Sequence, residues 1–214
     1  MKGLLIKDFC LLRNQKKILP IYLMLAVWFT AMHNDGFGFP YLMMMASIMT
    51  VSTVTYDEFD HSQTHLFTLP FERKSYVTEK FVLGGILVLA SLVFASICTG
   101  VRTLVNPEAQ GTDLVPLIIL SACAGAAIIA VMIPIRIRFG GDQGRIVLYA
   151  GLGVIALAVF LLSKVLPVQQ AQQVTGFFAQ IGMTGILLLA AGAAVIITVI
   201  GYLLAVRWME KKEF

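Results

Sequence analysis

Long apolar stretches separated by short polar ones dominate this chain. Runs free of Asp, Glu, Lys, Arg and His extend over 18–32, 37–56, 81–101 and 114–135, and two further apolar runs cover 146–165, interrupted near its end by Lys164, and 181–206. Each approaches or exceeds the roughly 20 residues a helix needs to cross a bilayer. None has the period-two alternation of a barrel strand, and backbone polar groups cannot go unpaired in lipid, so the runs predict six transmembrane helices. The first run is short. Its helix is expected to extend back through Lys17, whose stem can snorkel to the interface, while His33, Asn34, Asp35 and Gly36 form a turn on the far side.

Three connecting pieces carry patterns of their own. In residues 1–17, Leu5, Phe9 and Leu12 fall at i, i+4 and i+7, with Lys2, Lys7, Asp8 and Arg13 mostly elsewhere, which predicts an amphipathic elbow helix in the membrane interface leading into the first span. Residues 57–80 form the second piece. Asp57, Glu58 and Asp60 stand where acidic residues complement a helix N-terminus, Phe59 and Leu66 share a face, His61 lies between them, and Leu69-Pro70 ends the short helix. The third piece, Arg102–Asp113, holds Asn106-Pro107-Glu108 and Gly111 and predicts a turn-rich loop.

Composition agrees with a single membrane domain over residues 1–214: 58% of the residues are hydrophobic and 13% charged, against about 45–50% and 25% in soluble domains. The mean hydropathy is +0.86. The charge of +4 and pI near 9.0 come from clusters between apolar stretches rather than one continuous basic face, which argues for membrane topology and against nucleic acid as a partner. Fourteen of the sixteen Lys and Arg lie at the two termini, in 73–80 or in 136–145; Arg102 and Lys164 alone fall to the other side. Positively charged loops are retained in the cytoplasm, so the expectation is a multi-pass cell-membrane protein with both termini cytoplasmic. Asp8 and the basic residues around it interrupt any apolar core of a cleavable signal. Cys10, Cys98 and Cys123 lack metal-ligand or CxxC spacing and are expected to be structural thiols.

Catalysis or ion coupling inside a membrane needs ionisable groups at depth, and the first four apolar runs contain none. His61 and His65 have the i, i+4 spacing of a zinc pair but no HExxH glutamate and no third ligand at helical spacing, so no metal is expected. The chain contains no GxxxxGK[ST] phosphate loop; it is not expected to be an enzyme or to bind a cofactor itself. The glycines in the apolar runs fit close helix packing. Met43, Met44, Met45 and Met49 cluster as flexible thioethers that suit an adaptable, cargo-facing apolar surface.

Two segments carry a family resemblance. Leu69-Pro70-Phe71-Glu72-Arg73-Lys74-Ser75-Tyr76-Val77-Thr78-Glu79-Lys80 resembles the signature that follows the second span in permeases of the type-2 ABC transporter family. Pro134, Arg136, Arg138, Phe139 and Gly140, followed by Gly144-Arg145, resemble the turn between spans four and five in a small branch of that family, which includes permeases similar to exporters of phenol-soluble modulins. An inserted Ile137, and Gln143 where a basic residue is common, depart from the pattern. The resemblance implies a half-transporter: two permeases, identical or homologous, pair in the bilayer and each sits on a separate cytoplasmic ABC ATPase that holds ATP and Mg. It also implies that 57–68 is the coupling helix docking into that ATPase and that the cargo is an amphipathic peptide. The alternative is a non-transporting membrane anchor or immunity protein that binds a peptide.

Overall fold

The computed structural model describes residues 2–14, 19–32, 38–59, 73–105, 114–165 and 168–211, with the backbone alone for most of 141–181. All of these residues are helical. The helices are α1 (Lys2–Asn14), α2 (Leu19–Met32), α3 (Gly38–Phe59), α4 (Arg73–Val105), α5 (Leu114–Val165) and α6 (Val168–Lys211). Two of them are interrupted by glycine: Gly140 in α5 has φ 72° and ψ −175°, and Gly182 in α6 has φ 69° and ψ 167°. L-residues with a Cβ rarely adopt such angles, so glycine is what lets the chain change direction there.

Among the described residues, four helices are long and apolar enough to cross a membrane: Gly38–Asp57, Arg73–Val105, Val115–Gly140 and Gly182–Lys211. The apolar helix Leu19–Thr30 is shorter. The expected span at 146–165 is helical within α5, with few of its side chains described, and the turn at 33–36 lies outside the described residues. Residues 168–181, to which the sequence pattern assigns no element, are helical up to the Gly182 break.

Helix α3 is the centre of the bundle, packing against α1, α2, α4 and α5. Its span is 56% buried against 11% for that of α6, so α3 is enclosed by the other helices and α6 presents an open apolar surface. The main core joins Met43, Ala46 and Val54 of α3 to Tyr76, Val77 and Val88 of α4, Ile129, Ile133 and Ile137 of α5, and Ala205 and Met209 of α6. A second cluster at the other end gathers Ala26, Phe39, Leu42 and Ala95. Outward residues such as Leu89, Val93, Leu188 and Val195 supply the apolar surface a bilayer covers.

One helix contact is unusually close. Pro134 has no N–H to return to the Ala130 carbonyl four residues earlier, and Gly201 of α6 packs against that carbonyl, where a Cβ would stand 2.2 Å from the oxygen. A residue without a side chain lets α6 lie directly on the backbone of α5.

Two sequence expectations change. Helix α1 is present, but its inward stripe is Leu4, Asp8 and Leu12, all buried, while Phe9 points outward. The inward face is set by two leucines meeting the bundle and by an ion pair of Asp8, whereas Phe9 can be satisfied by the membrane interface. Asp57 does not begin a coupling helix: α3 runs unbroken past it to Phe59, because nothing in Thr53–Tyr56 stops the helix. Residues 60–72 lie outside the described residues.

Candidate functional site

Where α1, α3 and α4 meet, a set of charged side chains is enclosed. Helix α4 has 33 residues, about 50 Å at 1.5 Å per residue, well beyond the roughly 30 Å of a hydrocarbon core. Its first turns, before the apolar run from Phe81, therefore have length to spare at the membrane edge, beside the last turns of α3. From α1 come Lys7 and Asp8, from α3 Thr53 and Asp57, and from α4 Tyr76, Glu79 and Lys80.

Lys80 is fully buried and organises the set. Its ammonium donates to the carboxylate of Asp8, donates to the Thr53 hydroxyl at 3.2 Å, and lies 2.9 Å from Asp57 Oδ2. The same nitrogen stands 5.2 Å from the centre of the Tyr76 ring. Asp57 is held from three sides, because Lys7 Nζ donates to its Oδ1 at 2.5 Å and the Tyr76 hydroxyl to its Oδ2 at 3.0 Å. An aspartate in the last turn of a helix faces the negative end of the helix dipole. Two ammonium groups and a phenol offset that position and the loss of water.

A second link lies next to it. The Arg73 guanidinium donates to the backbone carbonyls of Met209 at 3.2 Å and Glu210 at 2.7 Å, closing the C-terminus of α6 as basic side chains commonly do. Lys74 reaches Glu210 at 3.5 Å on the exposed side of this contact. Residues 60–72 are thus preceded by an aspartate tied to α1 and α4 and followed by an arginine tied to α6.

The expected coupling residues divide accordingly. Asp57, Tyr76 and Lys80 are buried within the bundle rather than offered to a partner, and Arg73 is engaged on α6. The reason is that each found an opposite charge or an acceptor on a neighbouring helix. Glu58 and Phe59 end α3 with side chains outside the description, and Asp60, His61, His65, Leu66, Leu69 and Pro70 lie outside the described residues. Asp8 and Glu79, which no sequence pattern singled out as site residues, belong to the cluster. The available signal was an acid on the inward face of an amphipathic helix and an acid–base pair, Glu79-Lys80, immediately before an apolar run.

The second expected turn coincides with the Gly140 break. Pro134 is buried in α5, and Arg138 stacks against the rings of Phe139 at 5.2 Å and Trp208 at 4.7 Å. Arg136 lines a groove of about 340 Å³ between α3 and α5 with Ser47, Ser52, Thr55 and Tyr56. The side chain of Arg145 is outside the description. The four methionines do not share one face of α3. Met43 is in the core and Met44 points outward, while Met45 and Met49 line an apolar groove of about 260 Å³ with Leu23 of α2 and Phe94 of α4. All three cysteines are free thiols.

No curated protein and no solved structure matches this chain. The pattern of the family described as ABC-2 family transporter protein matches residues 3–210, from the second residue of α1 to the last turn of α6. Multiple apolar helices and a match over nearly the whole length together establish that the chain belongs to the ABC-2 transporter family, as a multi-pass membrane domain.

Proposed function

We propose that the chain is the permease subunit of an ATP-driven exporter of amphipathic peptides, with six spans and cytoplasmic termini. Two copies pair, and each works with a separate cytoplasmic ABC ATPase that carries ATP and Mg. Permeases of this family generally work with such an ATPase, and the 214 residues contain no phosphate loop of their own. Export and peptide cargo rest on the resemblance of 69–80 and 134–145 to the modulin-exporter branch. Met45 and Met49, in their apolar groove, are the methionines that suit contact with an amphipathic cargo.

The observation that carries this reading is the anchoring on either side of 60–72. A segment pushed by an ATPase does mechanical work only if its ends are fixed to the elements that must move. Asp57 fixes one end to α1 and α4, and Arg73 fixes the other to α6. Displacement of the segment is then shared among four helices, a rigid-body response rather than a local one.

The test is Phe59→Ala combined with Leu66→Ala. If these side chains dock in an ATPase groove, each loses about 1.5–3 kcal/mol of burial, and assembly weakens by one to several orders of magnitude at about 1.4 kcal/mol per tenfold. The double variant inserts in the membrane, fails to retain the ATPase and loses cargo-stimulated hydrolysis. Unchanged retention by a correctly inserted variant would show that this segment is not the docking element. The immunity-protein alternative predicts that no ATPase co-purifies at all.

A further inference from the structure

The ionic cluster does not balance. Among the described residues its acids are Asp8, Asp57 and Glu79 and its bases are Lys7 and Lys80, so with every group in its usual form these five hold one more negative charge than positive. Asp8 is 0% and Glu79 2% exposed, which leaves water little part in compensating the excess. An uncompensated charge in such a place is strongly disfavoured, and the ordinary resolution is that one group neutralises.

Hydrogen-bond accounting locates that group. An ammonium has three hydrogens. Those of Lys80 are directed to Asp8, Thr53 and Asp57, and Glu79 stands off at 3.8 Å. Lys7 donates to Asp57 and lies 3.6 Å from Asp8 Oδ1. Among the described residues neither oxygen of Glu79 accepts a hydrogen bond, and Asp8 Oδ1 has only the Lys7 ammonium at 3.6 Å. The Asp8 and Glu79 carboxylates both flank the Lys80 ammonium, Asp8 in contact with it and Glu79 at 3.8 Å. Two ionised carboxylates around one ammonium have only acceptors and repel; a single proton relieves the repulsion and removes the excess charge.

We propose that this junction is a proton-binding site, in which a proton taken from water resides on Glu79, the buried carboxylate whose two oxygens meet no donor. The ligand is a proton rather than a metal ion: no group of three His, Cys, Asp or Glu among the described residues is arranged to hold one. Among the described residues the charged and titratable groups facing the site are Lys7 and Asp8 from α1, Asp57 from α3, and Tyr76 and Lys80 beside Glu79 on α4. With the proton bound, the cluster has three acids and two bases and no net charge. Without it, α1 and α4 present facing carboxylates.

The sign of the pH effect follows. Above the ordinary carboxylate range the folded chain carries a proton that the unfolded chain has released, so stability falls as pH rises until the folded state has released it too. Glu79→Gln keeps a neutral donor in place of the acid and removes this dependence.

Infrared spectroscopy of the full-length permease in lipid nanodiscs reads the proton directly. At neutral pH a protonated carboxylic acid band is expected that shifts on ¹³C-glutamate labelling, disappears on alkalinisation and is missing from Glu79→Gln. Thermal unfolding of the same samples should show the wild-type midpoint falling as pH rises from the ordinary carboxylate range to neutrality, while that of Glu79→Gln changes less. Absence of the acid band at neutral pH, or a band insensitive to glutamate labelling, overturns the assignment, and so do unfolding midpoints that fall in parallel. The labelled wild-type spectrum decides the matter even if the variant does not fold. Neither measurement involves an ATPase or a cargo, so the result is independent of the exporter reading.

Discussion

Replacing Lys80 with Met keeps an unbranched side chain of similar length and deletes the ammonium that serves Asp8, Asp57 and Thr53 together. Removing one member of a buried ion pair costs about 3–5 kcal/mol, because its partner stays buried and uncompensated. Here Lys7 remains 2.5 Å from Asp57 and 3.6 Å from Asp8, and its side chain is partly accessible, which softens the loss. The expected cost is therefore near the lower end, about 3 kcal/mol or roughly two decades in the unfolding equilibrium at about 1.4 kcal/mol per decade. That is a large part of the ~5–15 kcal/mol typical of a folded domain. Reversible denaturant titration in mixed micelles measures it. Asp57→Asn added to Lys80→Met should cost less than the sum of the two single changes, because both remove the same contact. Lys74→Met serves as the control: its pair with Glu210 is exposed on both sides and is worth at most about 1 kcal/mol. If Lys80→Met unfolded within ~1 kcal/mol of wild type, or Lys74→Met cost as much, the cluster would not be what fastens α1 to α3 and α4.

Three further outcomes are expected. Gly201→Leu should force α6 off the Ala130 carbonyl and lower stability by about 1–3 kcal/mol in the same titration, whereas a substitution at Gly192, which faces open space, should not. A cysteine introduced at Gly111 should react with an impermeant reagent only from outside the cell; reaction only from the cytoplasm would reverse the proposed topology. Collapsing proton and sodium gradients at constant ATP should leave export intact, because no ionisable residue occurs in 81–101 or 114–135 to carry an ion onward from the cluster; lost export would refute the claim that transport is not driven by an ion gradient.

Four of the helices were legible because their apolar runs are long, and length and composition alone reveal that. The Gly140 break was legible in part, since the family resemblance of Pro134 to Gly140, followed by Gly144-Arg145, already implied a turn between apolar runs. The ionic cluster was not. Its pairs join residues 72 and 50 positions apart, so no local window contains them. Asp57 was misplaced for a related reason: acids suit a helix start, but here tertiary partners hold one at a helix end against its dipole. On α1, Leu5, Leu4 and Leu12 support two overlapping apolar faces, and only contact with the bundle selects the one that carries Asp8.

The clasp between Arg73 and the end of α6 is built unevenly. On one side the chemistry belongs to a particular side chain; on the other it belongs to peptide carbonyls, which every residue possesses. Exchanging Glu210 for almost any amino acid leaves the acceptors in place, while at 73 only a long side chain ending in a nitrogen with at least two hydrogens, as Arg73 Nη1 has, can serve both carbonyls. Variation at this joint is therefore tolerated from the α6 side and restricted on the α4 side. A screen of random substitutions would find position 210 permissive and position 73 restrictive, although the two are in direct contact.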